Sequence, residues 1–133
     1  MQLLVNIDVD DLEKAIDFYS AGLGLRLGRR LFDGSVAEMS GASSTIQLLL
    51  KPAGKSPASL HITREYKRHW TPVHLDFAVE DISAAVERAI HAGATLEGAV
   101  QSHAWGRLAT LSDPFGHGFC LLQLVGEGYD EVA

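Results

Sequence analysis

Val5-Asn6-Ile7-Asp8-Val9 alternates apolar and polar side chains, and Val73-His74-Leu75-Asp76-Phe77 repeats the alternation in the second half of the chain. Alternation with period two is the pattern of a strand with one buried face. Each run leads into a helix with an acidic start. In the first copy Asp10 is placed to cap free amides, with Glu13 three residues on completing a capping box. Leu12, Ile16, Tyr19 and Leu23 then recur at helical spacing, and Gly22 to Gly24 end the helix. In the second copy Asp81 caps, Ile82, Ala85, Val86, Ala89 and Ile90 form the apolar stripe, and Gly93 ends it.

Three strand-like stretches follow each helix. In the first half they are Leu25 to Phe32, Ser35 to Met39 and Ser44 to Lys51, with Asp33-Gly34 expected at a tight hairpin. In the second half they are Ala94 to Ser102, Gly106 to Leu111 and His117 to Leu124, with Asp113-Pro114-Phe115-Gly116 as the turn before the last strand. The chain therefore reads as one α+β domain over residues 1–133. Module one covers 1–52, a linker 53–71, module two 72–126 and a tail 127–133. The linker is long for a structureless connection, so it is expected to hold a short helix or to cover a site. The acidic tail with Tyr129 is expected to be loose.

The pattern also assigns faces. Val5, Ile7 and Val9 should cover the first helix, and Val73, Leu75, Phe77 and Val79 the second. The copies match at an offset of 68 through the strands (5 to 73) and of 70 through the helix caps (11 to 81). Both offsets are even, so either register puts Asn6, Asp8, His74 and Asp76 on the faces turned away from the helices. A sheet with one side in water satisfies this pattern. The reading preferred here is that these residues line a shared ligand cavity.

Composition narrows the function. The 133 residues carry a net charge of −6, with 47% hydrophobic and 21% charged residues, ordinary for a soluble globular protein. The short clusters Arg26-Arg29-Arg30 and Arg64-Lys67-Arg68 are expected to be solvated faces. No extended basic surface is present to grip phosphates, so a nucleic-acid partner is not expected. One cysteine, Cys120, allows no intrachain disulfide and suits a reducing compartment. No stretch has the length or apolarity of a membrane span or a signal peptide, which leads to the expectation of a cytoplasmic protein without a membrane partner.

Several short motifs in order carry a family resemblance. They are Val9-Asp10-Asp11-Leu12-Glu13-Lys14-Ala15-Ile16-Asp17-Phe18-Tyr19 with Leu23-Gly24-Leu25, then Val73 to Ile82, Trp105-Gly106-Arg107, and Asp113-Pro114-Phe115-Gly116-His117. Together they resemble the vicinal-oxygen-chelate superfamily of glyoxalases, bleomycin-resistance proteins and extradiol dioxygenases. The resemblance implies two β-α-β-β-β modules forming an incomplete eight-stranded barrel or cup with helices outside, commonly in a homodimer.

It also implies positions for a divalent metal. The first ligand, a histidine seven residues before the cap aspartate, falls on Leu4, and the third, by the same spacing, on His74. The acidic ligand of the fourth strand falls on Gln47. The glutamate seven residues after the aspartate of the Asp-Pro turn falls on Cys120. Only His74 matches, so no metal and no other cofactor is expected. A rearranged site using Asp8 or Asp76 with His74 would need favourable rotamers, because residues two apart on a strand are roughly 7 Å apart.

The expectation is therefore a metal-independent protein binding a small organic ligand through Asn6, Gln47, His74, Asp76, Trp105 and Cys120. The alternative is a lyase, isomerase or dioxygenase-type enzyme with a rearranged metal site, or with His74 as general base; no other residue is assigned to catalysis. A third reading is a non-catalytic dimer serving as a regulatory or interaction module. His117 is expected to serve the turn, Trp105 to pack in the wall or stack on ligand, and His69-Trp70 to reach the ligand site. His61, His91 and His103 are expected at the surface. Cys120 is expected to be a buried, unactivated thiol.

Overall fold

The computed structural model describes residues 1–56 and 61–133. The chain divides into two compact units, Met1–Lys67 and Arg68–Ala133. The first holds β1 (Leu4–Val9), α1 (Leu12–Leu23), β2 (Arg26–Leu31), β3 (Val36–Ser40) and β4 (Thr45–Leu50). Its open sheet has the order β1-β4-β3-β2, with β1 parallel to β4 and the other pairs antiparallel. The second holds β5 (Leu75–Ala78), α2 (Ile82–His91), β6 (Thr95–Leu96), β7 (Gln101–His103), β8 (Gly106–Ser112) and β9 (Gly118–Leu124), then a short 3-10 helix, Gly128–Val132. Its sheet runs β5-β9-β8-β6, with β7 also paired to β8 and β5 parallel to β9. The class is α+β; the first unit is β-α-β-β-β, and the second has the same pattern with its second strand interrupted into β6 and β7, both paired to β8.

Alternation builds each core. In the first unit Ala37 and Met39 pair with Leu48 and Ile46, all buried, and Leu12, Ala15, Ile16, Phe18 and Tyr19 form the buried side of α1. Burying a side chain such as Leu48 or Phe18 contributes roughly 1.5–3 kcal/mol, so the apolar face decides which way the strands turn. In the second unit Phe119 and Leu121 pair with Leu75 and Phe77, while Ile82, Ala85, Val86 and Ala89 are the buried residues of α2. Asn6 and Asp76 are exposed on alternate positions of their strands, as the parity argument requires. Both helices have aspartate caps. Asp81 accepts from the Ala84 amide at 3.1 Å; in α1 the cap is Asp11, accepting from the Lys14 amide at 3.0 Å, rather than Asp10.

The elements differ from the expected ones in four places, each with a local cause. The stretch Ala94 to Ser102 is not one strand: residues 97 to 101 span 110 to 108 of β8, and the chain leaves the ladder at Gly98, whose φ is +90°. The first hairpin turns with positive φ at Phe32 and Asp33 as well as Gly34, and the Gly34 amide donates to the Leu31 carbonyl. β5 starts at Leu75, not Val73; the Thr71 hydroxyl bonds the Val73 carbonyl at 2.6 Å, and Val73 is 81% exposed rather than packed on α2. The tail is ordered: Gly128–Val132 is helical and the Tyr129 ring lies 5.1 Å from that of Trp105.

The linker has no helix among its described residues; 57–60 lie outside them. It is tied down by polar contacts instead. Arg64 pairs with Asp8, its amide bonds the Lys55 carbonyl, and Tyr66 donates to the Lys51 carbonyl at 2.6 Å. Arg68 makes a two-pronged pair with Glu97. The cluster Arg26-Arg29-Arg30 is exposed on β2 as expected, whereas the Arg64 and Arg68 side chains are part-covered. Arg64 ties the second half of the linker to Asp8 of the first unit and Arg68 to Glu97 of the second, while Arg29 pairs with Glu38 and Arg30 with Glu13.

Candidate functional site

The parallel pairing of the first and last strands brings polar residues side by side in each unit. In the first unit Asn6 is the partner of Gln47, and Gln47 of Glu38 on β3. The Arg29 hydrogen bond holds the Glu38 carboxyl below the usual carboxylate range against a smaller opposing effect of burial, and Gln47 adds to the lowering. This row carries hydrogen-bonding groups on the face away from α1.

In the second unit the same register opposes Asp76 to Cys120, and Cys120 to Thr110 on β8. His74 joins them from just outside β5. The His74 and Asp76 side chains close the roughly 7 Å backbone spacing through their rotamers, and His74 Nε2 lies 3.3 Å from Asp76 Oδ1. One donor atom each from His74, Asp76 and Cys120 falls within 4.8 Å of the others. The imidazole and carboxylate are part exposed, while Cys120 is buried at 5%. Burial pushes the Cys120 thiol up; Thr110 opposes this, and the negative charge of Asp76 reinforces it. The thiol is therefore protonated at neutral pH and is not an activated nucleophile.

Trp70 walls this group. Its ring lies 4.7 Å from that of His74 and rests on Gly118, the residue two before Cys120 on the same face of β9. The Arg68 guanidinium lies 5.4 Å from the Trp70 ring centroid, and its pair with Glu97 anchors the strap.

The six residues expected in the ligand site come from both units. Asn6 and Gln47 adjoin in the first unit, and His74, Asp76 and Cys120 in the second. Trp105 lies at the other end of β8, stacked at 5.0 Å on His103 and covered by Tyr129. It is about 17 Å from Thr110 by strand rise. Asp113 is buried and accepts the Phe115 and His117 amides, so residue 117 serves the turn through its backbone. Thr110 was not anticipated, because its role depends on register across β8 and β9, which a single strand pattern does not give.

At the metal-ligand positions of the superfamily the chain carries Leu4, Gln47, His74 and Cys120. Leu4 has no donor atom and is paired in β1 with Thr45, so these residues do not fit that four-ligand centre. Among the described residues no helix is long and apolar enough to cross a membrane.

Comparison with known proteins adds the family context. The model of the glyoxalase-like domain matches residues 4–122. An uncharacterized protein of Mycobacterium bovis is 35% identical, over 93% of this chain and 84% of its own length. The anthracycline biosynthesis protein DnrV of Streptomyces peucetius is 30% identical over 97% of this chain, which spans 43% of that protein. Among solved structures, TnmS3, an antibiotic-binding protein from Streptomyces sp. CB03234, has a TM-score of 0.64 at 24% identity, covering 93% of this chain and 95% of its own.

Proposed function

Starting from the fact that this chain belongs to the glyoxalase-like family of the vicinal-oxygen-chelate superfamily, we propose that it binds a small, largely aromatic organic molecule and does so without the superfamily's four-ligand metal centre. The observation that carries the reading is the polar and aromatic group Trp70-His74-Asp76 on the open face of the second sheet, in a chain whose residue at the first ligand position, Leu4, has no donor atom. Trp70 supplies an apolar surface, and His74 and Asp76 supply directional hydrogen bonds, the usual composition of an organic-ligand site. Asn6 and Gln47 offer the same polar chemistry in the first unit. The likeness to an anthracycline biosynthesis protein and an antibiotic-binding protein favours planar aromatic natural products over sugars or nucleotides. The family context also leads us to a homodimer working in the cytoplasm, which sedimentation and fractionation test separately.

Titration calorimetry in chelator-treated buffer, with a panel of anthracycline-type aromatics and cationic glycopeptides, tests this reading. Micromolar binding is expected for at least one aromatic class, weakened tenfold or more in His74→Ala. No heat from any member up to millimolar concentration ends it.

One observation favours an enzyme as the second reading. Asp76 lies 3.3 Å from His74 Nε2, the arrangement of a base held by an orienting carboxylate. Mass spectrometry of the recovered ligand separates the two, since altered ligand with wild-type protein and unaltered ligand with His74→Ala identifies turnover.

A further inference from the structure

We propose that His74, Asp76 and Cys120 form a site for one thiophilic divalent cation of the zinc type, built wholly within the second unit; it shares the His74 and Cys120 positions with the superfamily's four-ligand centre but takes Asp76 in place of the two first-unit positions. The donor set is one imidazole nitrogen, one carboxylate oxygen and one sulfur, whose atoms already lie within 4.8 Å of one another. Around zinc, bonds of about 2.0–2.3 Å at tetrahedral angles place ligand atoms about 3.3–3.8 Å apart. His74 and Asp76 meet that spacing at 3.3 Å, and side-chain rotation alone has to supply the remainder.

The fold holds two of the three ligands in register. Asp76 and Cys120 are direct partners on parallel strands, and Thr110 Oγ1 lies 3.8 Å from the Cys120 sulfur, where it orients the thiol from behind. The Trp70 ring against His74 limits the imidazole's rotation. A simple ion pair between His74 and Asp76 has no use for a sulfur beside it; a cation site does. Sulfur and imidazole together select zinc, cobalt or a similar ion over magnesium or calcium. On binding, the thiol proton leaves to solvent, and carboxylate plus thiolate neutralise the dication. The fourth position faces outward, because His74 and Asp76 are part exposed. The inference concerns the donor set alone and does not depend on the organic-ligand reading.

The test is cobalt titration of the chelator-treated full chain, followed by zinc displacement. One equivalent is expected, with visible bands of tetrahedral cobalt and a near-ultraviolet thiolate charge-transfer band. Cys120→Ser is expected to abolish the charge-transfer band, and His74→Ala and Asp76→Asn to weaken affinity at least tenfold. His74 and Asp76 are part exposed, so those two variants keep the fold, and circular dichroism checks this. The zinc-induced rise in Tm should vanish in His74→Ala. Absence of cobalt or zinc uptake at micromolar concentration by the wild-type chain, or an unchanged spectrum in Cys120→Ser, overturns the proposal.

Discussion

Trp70 sits on the bare backbone of Gly118: a Cβ added there would come within 2.6 Å of two ring carbons and 2.8 Å of the Arg68 guanidinium. Gly118 does not have a left-handed backbone, so its lack of a side chain serves the close approach rather than a turn. A strap residue is thereby seated beside His74, two positions from Cys120. Gly118→Ala should expel the indole. Because Trp70 is already 47% exposed, it swings away at a cost below the roughly 1–3 kcal/mol of overpacking a rigid core. In a Trp105→Phe background the remaining emission should shift to the red. An unshifted spectrum would show that Trp70 does not rest on Gly118 in solution.

That contact marks the boundary of what the sequence made legible. Strand parity and helix capping are local, so the two β-α-β-β-β repeats and the outward faces of Asn6 and Asp76 were readable from alternation and acidic caps. The grouping of His74 with Asp76 was not. It depends on side-chain rotamers; the start of β5 at Leu75 was hidden likewise, because the apolar side chain of Val73 gave a misleading strand signal. The seat for Trp70 depends on a glycine 48 residues later in the chain (118 less 70), a distance over which no periodicity speaks. Tail order depended likewise on a Trp105–Tyr129 contact that composition alone does not reveal.

Asp113 should matter for stability out of proportion to its size. It is buried, and its Oδ1 accepts two backbone amides at 2.8 and 2.9 Å. Asp113→Ala leaves both donors unmet, at roughly 2–4 kcal/mol for the pair. Asp113→Asn keeps an acceptor oxygen and should recover a good part of that. Urea unfolding of the two variants measures the difference, and equal losses would mean that the turn is held by something other than this oxygen.

Tyr66 gives the chain an alkaline signature. Burial, reinforced by the Asp8 charge, pushes its phenol up to about 12, and its hydroxyl donates to the Lys51 carbonyl. The unfolded chain then loses this proton near pH 10 while the folded one keeps it until about 12. Stability from this group is therefore complete below pH 10 and falls between pH 10 and about 12. Against Tyr66→Phe, the wild-type advantage from the hydrogen bond should shrink across that interval, with the other tyrosines cancelling in the comparison. Stability curves that stay parallel from pH 9 to 12 would exclude a raised Tyr66.

Phe32 is placed against its own backbone preference. It sits at the β2–β3 hairpin with φ +52°, followed by Asp33 at +53°, while the residue is 78% exposed. The left-handed region costs an ordinary L-residue roughly 1–2 kcal/mol, and asparagine pays much less of it. An exposed ring offers little burial in return, so Phe32→Asn should raise stability by about 0.5–1 kcal/mol. The gain should appear in the urea midpoint with an unchanged slope, because no surface buried within the chain is lost. If Phe32→Asn instead lowers stability, and does so in a concentration-dependent way, the ring is covered by a second copy, and the unfavourable turn is retained for that contact.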